Sequence, residues 1–438
     1  MSLIRFCLAA LLLIALPAKA EIAIQEVKSP GGLTAWLVED HSIPFTALEL
    51  HFRGGTSLDP ADQRGVVNLM AALLEEGAGP RDAQLFAETR DALAAQFSYR
   101  ASSDAVTVSA QFLTENRNRA VDLLRQSLIE PRFDADAVER VRGQVISNID
   151  ANLKDPEAIV ADTFNRIAFG MHPYGTSGDG TKTSVAALSR ADIVAAHKGA
   201  LARDRVYIAA TGDISPEDLA ALMDRLLGDL PQTGSPIPPH AEWQMGPGMT
   251  VVDFPIPQSV IRFGHQGIRR DDPDFFPAYV LNQILGGGRF SARLMTELRE
   301  KRGLTYGVST YLAPRDLAEL YIGQFSSSNA NVAEAIEITR AEWRKMAESG
   351  VTEAELAATK TYLTGAYPLR FDGNGPIARI LVGMQVDNLP LDYIQTRNAR
   401  IEAVTLEDVA RVAQRILLPD QLHFVIVGQP ETVETPAP

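Results

Sequence analysis

The stretch GGGRFSARLMTELREKRGLTY, residues 286–306, decides how the rest of the chain is interpreted. Glycine tolerates positive φ and close backbone approach, so Gly286, Gly287 and Gly288 predict an exposed loop that a ligand backbone could touch. A helix is predicted after this loop, because apolar residues recur there at helical spacing. The residues of this apolar stripe are Phe290, Leu294, Met295 and Leu298.

The second part of the same stretch predicts that the chain folds back on itself. Arg299 falls near the C-terminal end of the predicted helix, and Gly303 is the type of residue that ends one. The segment 305–311 has the composition of a strand, with Tyr306 near its start. We therefore expect the helix and the strand to bring Arg299 and Tyr306 together.

Length and charge narrow the class of protein. The chain has 438 residues and a formal net charge of −14. That length predicts two large domains or four smaller ones. The negative charge argues against a nucleic acid as partner and fits basic or unfolded peptides better. Because the charge is spread without acidic blocks, simple solubility is its more ordinary explanation.

Residues 1–20 have the pattern of a cleavable secretory signal, with a basic Arg5, an apolar core over 6–16 and small residues up to Ala20. We expect cleavage after Ala20, and no stable membrane insertion because the apolar span is too short. The only cysteine, Cys7, lies in this segment, so the mature chain is expected to be free of disulfides. An exported, cysteine-free chain of this size indicates the bacterial periplasm.

Periodicity along the first half predicts a mixed α and β fold. Alternating or apolar runs predict strands, and amphipathic runs with capping residues predict helices. The strands are expected at 33–38, 45–52, 105–112 and 206–211, and the helices at 63–76, 83–95, 116–128, 134–153, 157–169, 192–201 and 216–227.

Two pairs of segments repeat at the same offset of 216 residues. SRADIVAAHKGAL at Ser189 resembles TLEDVARVAQRIL at Thr405. VYIAATGD at Val206 resembles LHFVIVGQ at Leu422. Equal offsets indicate an internal duplication. The predicted organisation is a signal peptide at 1–20, homologous halves at 21–230 and 249–430, a proline-rich linker at 231–248 and a disordered tail at 431–438.

This organisation resembles the insulinase-like, or M16, metallopeptidases over nearly all of the mature sequence. The motifs that carry the resemblance are Arg53-Gly54-Gly55-Thr56, Gly65-Val66-Val67, His172-Pro173-Tyr174 and GGGxFSxRLxxELREKRGLTYGV from Gly286. The last is close to the second-half signature of bacterial members and of mitochondrial processing peptidase subunits. The resemblance implies an α+β fold of two homologous M16-type halves, each an antiparallel-rich sheet covered by helices, arranged as a clamshell.

Catalytic members of that family carry His-x-x-Glu-His on the first-half helix, where two imidazoles bind zinc and the glutamate activates water. A second glutamate follows on a later helix. The matching positions here are Asn68, Ala71, Ala72 and, for the distal ligand, Asn148. The resemblance therefore implies a degenerate zinc site and no metal in this chain.

Other residues offer weak alternatives for a catalytic role. No pair among the seven histidines is spaced for one helical face. Glu75 and Glu76 could replace lost ligands, but carboxylates at the C-terminal end of a helix are usually solvated. His172 could be catalytic, although a histidine in such a turn is more often a structural hydrogen-bonding residue.

Heterodimeric relatives divide the chemistry between a zinc-bearing subunit and an inactive subunit that supplies an arginine and a tyrosine seven residues apart. The resemblance assigns those roles to Arg299 and Tyr306, acting on the partner's site, with Arg302 as the other candidate arginine. A guanidinium can hold a substrate carbonyl or carboxylate, and a phenol can donate to a developing oxyanion. It also assigns peptide contact to the glycines 286–288, for which a plain tight loop is the competing explanation.

The expected function is that of a non-catalytic, substrate-binding subunit of a periplasmic heterodimeric M16 zinc peptidase. The chain would be inactive alone, zinc would lie in the partner subunit, and the substrates would be peptides. The alternative is a non-enzymatic scaffold or peptide-binding protein of the M16 fold. A metal-independent enzyme is a third class, but no Ser/His/Asp set has a spacing that supports it.

Overall fold

The computed structural model describes residues 22–288 and 290–431. The predicted signal segment 1–20 lies outside the described residues, as do residues 432–438 of the predicted tail. Within the described ranges, no helix combines the length and the apolar character that crossing a membrane requires.

The first half is built on a six-stranded sheet in the order β1-β2-β8-β3-β7-β6, in which only the β2–β8 pair is parallel. A two-residue hairpin, β4–β5, lies apart from it. The strands are β1 (Gln25–Lys28), β2 (Thr34–Glu39), β3 (Phe45–Arg53), β4 (Gly77–Ala78), β5 (Arg81–Asp82), β6 (Gln96–Ala101), β7 (Ala105–Leu113) and β8 (Val206–Gly212). The helices are α1 (Val66–Ala72), α2 (Ala83–Ala92), α3 (Arg117–Ile129), α4 (Ala135–Asn152), α5 (Pro156–Phe169), α6 (Lys182–Ala187), α7 (Arg190–Ala200) and α8 (Pro216–Leu227).

The second half is built on a five-stranded sheet in the order β11-β12-β10-β13-β9, in which only the β13–β9 pair is parallel. A π-helical turn, Met295–Glu300, precedes β11. The strands are β9 (Gly248–Asp253), β10 (Gln258–Gln266), β11 (Val308–Arg315), β12 (Ala318–Ser328) and β13 (His423–Gly428). The helices are α9 (Phe275–Gly286), α10 (Val332–Ser349), α11 (Glu353–Gly365), α12 (Asn374–Val386), α13 (Tyr393–Ala403) and α14 (Leu406–Ile416).

The internal duplication is visible in the sheet topology. Read from the parallel pair, the order β2-β8-β3-β7-β6 corresponds to β9-β13-β10-β12-β11. The segments that repeat in the sequence occupy equivalent places, because α7 precedes β8 and α14 precedes β13. Both helices begin with the same capping box, Ser189 with Asp192 and Thr405 with Asp408. In a capping box each side chain satisfies an otherwise unpaired backbone N–H.

Each half lends one helix to the sheet of the other half. Helix α5 of the first half packs on the second sheet, and α12, its counterpart, packs on the first. Fully burying one large apolar side chain contributes about 1.5–3 kcal/mol, so separating the halves would be costly. The apolar residues brought together are Val160, Phe164 and Phe169 with Ile322, Val425 and Val427, and Leu381, Val382 and Met384 with Trp36, Val38 and Ala209.

The segment His172-Pro173-Tyr174 connects the two halves through hydrogen bonds. The hydroxyl of Tyr174 donates to Asp104 and accepts the Leu317 N–H of the second half at 3.1 Å. His172 accepts the Tyr174 N–H at Nδ1 (3.1 Å), and its Nε2 donates to the Pro239 carbonyl at 3.0 Å. Both nitrogens of His172 are therefore used in structural hydrogen bonds, which favours the structural interpretation of this residue.

The region between the halves, 231–247, contains neither helix nor strand, as its prolines predict. It is nevertheless packed, since Ala241 and Met245 are buried in the apolar cluster around α5. An ion pair between Arg53 and Asp316, with Nε and Oδ2 2.5 Å apart, crosses the same junction.

The helix expected at 63–76 is shorter in the structure, where it spans only Val66–Ala72. At its start the Asp59 carboxylate accepts the N–H groups of Gly65 (2.8 Å) and Val67 (3.0 Å). Burial outweighs these bonds and raises the pKa of Asp59 to about 6. At its end the N–H groups of residues 73 and 74 bond to carbonyls three residues back, which tightens the chain out of the α-helix.

An ion pair anchors the segment before the π-helical turn to α11. Arg293 donates from Nε to Glu355 Oε1 (2.7 Å) and from Nη2 to Oε2 (2.8 Å), and Nη2 also reaches the Gly350 carbonyl at 3.0 Å. The bidentate guanidinium lowers the pKa of Glu355 to about 2. The same carboxylate closes the capping box of α11 with Thr352.

Replacing Tyr174 with phenylalanine tests the connection between the halves. We expect Tyr174→Phe to lower the free energy of unfolding in urea by about 1–3 kcal/mol, because Asp104 and the Leu317 N–H lose their partner. Tyr207→Phe is the control, since that hydroxyl has no hydrogen bond to any residue that the structure describes, and it should change stability by less than about 0.5 kcal/mol. Equal losses in both variants would contradict the assignment.

The Arg293–Glu355 pair should make stability depend on acid pH. Because the folded pKa of Glu355 lies below its unfolded value of about 4.5, the contribution is complete above that pH and is lost as the pH falls towards 2. Glu355→Gln should cost about 1–2 kcal/mol at pH 7, allowing for partial solvent screening, and flatten this part of the pH profile. Glu353→Gln, at an exposed position of the same helical turn, should leave the profile unchanged.

Candidate functional site

The π-helical turn sets the direction of Arg299. The Lys301 N–H bonds to the carbonyl of Thr296, five residues back, at 3.0 Å. Gly303 then takes a positive φ of 64°, and the chain leaves the helix as predicted for this glycine. Met295 and Leu298 are buried, and Arg299 lies on the other side of the turn. Such π-type turns are rare and recur at functional sites, where they re-aim side chains.

Arg299 and Tyr306 are in contact, as the predicted fold-back requires. The guanidinium carbon of Arg299 lies 4.6 Å from the ring centroid of Tyr306 and 4.7 Å from that of Phe290. The two rings are largely exposed, Tyr306 by 87% and Phe290 by 62%. Cation–π attraction holds the arginine between them. Among the described residues, Arg299 has no carboxylate or other hydrogen-bond acceptor, so its N–H groups are available to a ligand.

Phe290 differs from its predicted place in an apolar helical stripe. The helical backbone begins only at residue 293, so Phe290 lies in the preceding turn and points its ring to Arg299 instead of the core. The strand also begins later than expected, at Val308, which leaves Tyr306 in the connection before it. Phe290 is therefore a member of the site that periodicity misassigned.

Arg302, the other candidate arginine, is engaged elsewhere. Its Nη1 donates to Glu297 Oε2 at 2.6 Å and to the Glu297 carbonyl at 2.9 Å. Lys301 pairs with the same carboxylate at 2.6 Å, and these hydrogen bonds lower the pKa of Glu297. The geometry therefore favours Arg299 as the arginine that a ligand meets.

A groove of about 430 Å³ opens beside Arg299 and Tyr306. Its walls come from both halves, with Glu157 and Val160 of α5 facing residues of β10 and β12. Arg262 of β10 adds a second guanidinium, and its Nε is buried without a hydrogen-bond partner among the described residues. Two arginines with unpaired donors suit the groove to an acceptor-rich group such as a carboxylate or a peptide carbonyl.

The triple glycine is not a uniformly exposed loop, so that prediction is wrong for its first residue. Gly286 is buried at the end of α9, and a Cβ there would lie 2.5 Å from Thr310 Oγ1 of β11. Gly287 is half-buried against Gln283. Only Gly288, with a φ of 78° and open space around it, is exposed and lines the groove. Glycine is needed at 286 because helix α9 packs closely against strand β11 there. Within this triplet, only the exposed Gly288 and the half-buried Gly287 could contact a peptide.

The positions of the degenerate zinc site do not fit a zinc ion. Ala71 and Ala72 offer only methyl groups, and Ala71 is buried. The amide of Asn68 donates to Asp179 Oδ1 at 3.0 Å, and Asn148 is exposed on α4. Zinc needs nitrogen, thiolate or carboxylate ligands, which this set lacks. In residues 22–288 and 290–431, no group of three or more His, Cys, Asp or Glu side chains could hold a metal ion.

A network of polar side chains, here called the polar bridge, lies beside the positions of the degenerate zinc site. Asp179 accepts from Asn68 of α1 and, at Oδ2, from Asn152 of α4 at 3.2 Å. Neither Asp179 nor Asn152 belongs to a motif of the sequence, so only the folded structure reveals the contact. The polar bridge links the two helices that carry the ligands in catalytic relatives.

The glutamates that could have replaced zinc ligands are ion-paired. Glu75 binds Arg90 at 3.1 Å, and Glu76 binds Arg140. Burial raises the pKa of the Glu75 carboxyl, with Arg90 opposing that shift. Both side chains therefore stabilise the end of the α1 region instead of forming a free ligand set.

Comparisons with known proteins agree with this architecture. A family model described as insulinase (peptidase family M16) matches residues 35–182, and one described as peptidase M16 inactive domain matches residues 187–363. The non-peptidase homolog YmxG of Helicobacter pylori is 24% identical over 391 residues, which cover 89% of this chain and 90% of that protein. An uncharacterized zinc protease of Mycobacterium tuberculosis is 28% identical over 408 residues, covering 91% and 92% respectively.

Solved structures share the fold over nearly the whole chain. The crystal structure of a peptidase M16 inactive domain from Pseudomonas fluorescens superposes with a TM-score of 0.88 at 28% identity, covering 94% of this chain and 99% of that one. A protease from Helicobacter pylori superposes with a TM-score of 0.83 at 16% identity, covering 92% and 99%, which supports the fold alone. The resemblance drawn from the sequence motifs is thus confirmed, and this chain belongs to the M16 peptidase family, with other residues at the positions of the family's zinc-binding motif.

Proposed function

We propose that this chain is the substrate-binding subunit of a heterodimeric M16 zinc peptidase and supplies Arg299 and Tyr306 to the site of a zinc-bearing partner subunit. The observation that carries the proposal is the unpaired guanidinium of Arg299, held between two exposed aromatic rings beside a groove. A half-buried cation without a counter-charge is a cost to the isolated chain. This unfavourable free energy is offset when a carbonyl or carboxylate of the substrate accepts hydrogen bonds from Arg299.

The residues of this chain have distinct roles in the proposed complex. Arg299 binds and orients a carbonyl or carboxylate of the peptide through its planar N–H groups. Tyr306 donates its phenolic proton in a hydrogen bond to the oxygen on which negative charge develops during amide hydrolysis. Phe290 is a second aromatic ring against which the guanidinium packs. The metal ion and the attacking water belong to the partner, since helix α1 here has no ligands for them.

The exposure of the site supports assembly with a second protein. Aromatic rings as exposed as Tyr306 and Phe290 are typical of surfaces that become buried on binding. The Helicobacter pylori relative is named a non-peptidase homolog, which supports the view that chains of this type lack activity of their own. We place the complex in the periplasm on the basis of the signal-like segment 1–20, and we take its substrates to be peptides.

The isolated chain should bind no stoichiometric zinc and cleave no peptide. The reason is that Asn68, Ala71, Ala72 and Asn148 offer no ligand set and no general base. Zinc content can be measured by atomic absorption after dialysis, and cleavage with a quenched fluorescent peptide library. Zinc-dependent turnover by the purified single chain would overturn the proposal.

Substitutions at the arginine and the tyrosine should lower turnover of the assembled complex. We expect Arg299→Ala or Tyr306→Phe to reduce kcat/KM by about 10²-fold, the effect of removing one donor to a developing charge. Co-expression with a zinc-bearing M16 partner, followed by size exclusion and a peptide-cleavage assay, measures both assembly and activity.

Arg302→Ala is the matched control, because Arg302 pairs with Glu297 outside the groove. It should leave turnover within about twofold of wild type, and all three variants should assemble normally. Wild-type rates for Arg299→Ala and Tyr306→Phe would instead support a scaffold role, in which the M16 fold serves assembly without supplying catalytic groups.

A further inference from the structure

A second cavity, of about 540 Å³, lies in the second half beyond the groove of Arg299. It is open to solvent on one side and is bounded by α9, β11, α12, α13 and the turn that follows α11. Six of the residues that line it are aromatic, and this volume suits a ligand of one or two residues. The aromatic residues that line it are Phe275, Phe276, Tyr279, Tyr311, Tyr367 and Tyr393.

The charges on the cavity wall are predominantly positive. Three arginines and one aspartate line it, in a chain whose overall charge is strongly negative. Arg270 is satisfied, because it pairs with Asp387 at 3.2 Å and donates to Tyr393 Oη at 3.0 Å. The other two, Arg370 and Arg397, have no carboxylate partner among the residues that the structure describes.

Arg397 is the more informative of the two, because it is only 5% exposed. Its guanidinium carbon lies 4.1 Å from the ring centroid of Tyr367 and 5.9 Å from that of Tyr279, between two walls of the cavity. Nη1 donates to the Leu363 carbonyl (3.0 Å) and to Asn398 Oδ1 (2.9 Å). The nitrogens Nη2 and Nε have no acceptor within the described ranges.

A buried guanidinium without a counter-charge is unfavourable unless another group supplies the negative charge. Carboxylates and phosphates match the planar donors of arginine, and aromatic walls favour an apolar group next to that anion. Arg370, at the rim, adds a second cation that attracts an anion into the cavity. The arginines and the aromatic rings of the cavity therefore favour a ligand that has an anionic group at one end and an apolar group at the other.

We propose that this cavity binds a carboxylate carried on an aromatic or other apolar group, with Arg397 as the anion-binding residue and Arg370 at the entrance. Two sources share that chemistry, the C-terminal residue of a peptide and a free small carboxylic acid. The cavity adjoins the groove, because Gly288 and Ser309 line both, but neither Arg299 nor Tyr306 lines the cavity. Its binding can therefore be measured on the isolated chain without zinc.

The test is binding to the purified full chain, measured by titration calorimetry. The probes are N-acetyl-L-phenylalanine, its amide, and a pentapeptide ending in phenylalanine with a free or an amidated C-terminus. The free acids should bind about tenfold or more tightly than the amides, because the amides leave the arginine donors unpaired. Binding of the peptide acid assigns the site to peptide C-termini, and binding of N-acetyl-L-phenylalanine alone assigns it to small acids.

Gly383→Leu tests the location without removing a structural contact. Gly383 lines the cavity on α12, and a Cβ there meets open space, so the larger side chain should fill the cavity and leave the fold intact. We expect it to weaken binding of the acid about tenfold or more with an unchanged or raised Tm. Gly143→Leu, at an equally open helical position on α4, is the control and should bind as wild type.

Arg370→Gln tests the charge at the entrance and should weaken binding of the acid while leaving the weak binding of the amide unchanged. Three results would each overturn the proposal: absence of binding by every free acid at millimolar concentration, equal affinity for acids and amides, or wild-type affinity in Gly383→Leu. None of these measurements involves peptide cleavage, so they leave the proposed role of Arg299 and Tyr306 to its own test.

Discussion

The structure depends on the exchange of helices α5 and α12 between the two sheets. A sheet with one bare apolar face is not stable in water, and each half covers that face with a helix from the other. Separating the halves would expose both clusters at once, together with the hydrogen-bonding groups around Tyr174. The groove of Arg299 exists only because of this exchange, since α5 forms one of its walls.

The sequence predicted the parts of the fold that local rules control. Strands at 45–52 and 206–211 and the helix at 216–227 are found almost as expected, because strand-forming composition and the capping residue Ser215 act within a few residues. The helix at 63–76 is overestimated, since Leu73 and Leu74 are apolar but pack from turns. The spacing of apolar residues predicts which side chains are buried. Leu73 and Leu74 are buried, but their backbone forms turns and not a helix.

The candidate site shows the same division between local and long-range information. The contact of Arg299 with Tyr306 follows from a glycine that ends a helix, which is local. Phe290 was misassigned because the helix begins three residues later than its apolar spacing predicts. The places of Arg262 and Glu157 in the groove depend on where distant elements pack, and no spacing in the sequence encodes that. Gly286 shows the converse error, because a glycine needed for close helix–strand packing has the same appearance as a glycine in a loop.

The π-helical turn gives the arginine–tyrosine spacing a geometric meaning. In an α-helix each residue advances the side-chain direction by about 100°, and a π turn contains one residue more than an α turn. A chain one residue shorter in this turn could restore regular α-helical bonds, but Arg299 would rotate by about a quarter of a turn relative to Phe290. Two relatives with identical side chains could therefore differ in whether the arginine reaches the groove, through a single insertion or deletion in the backbone.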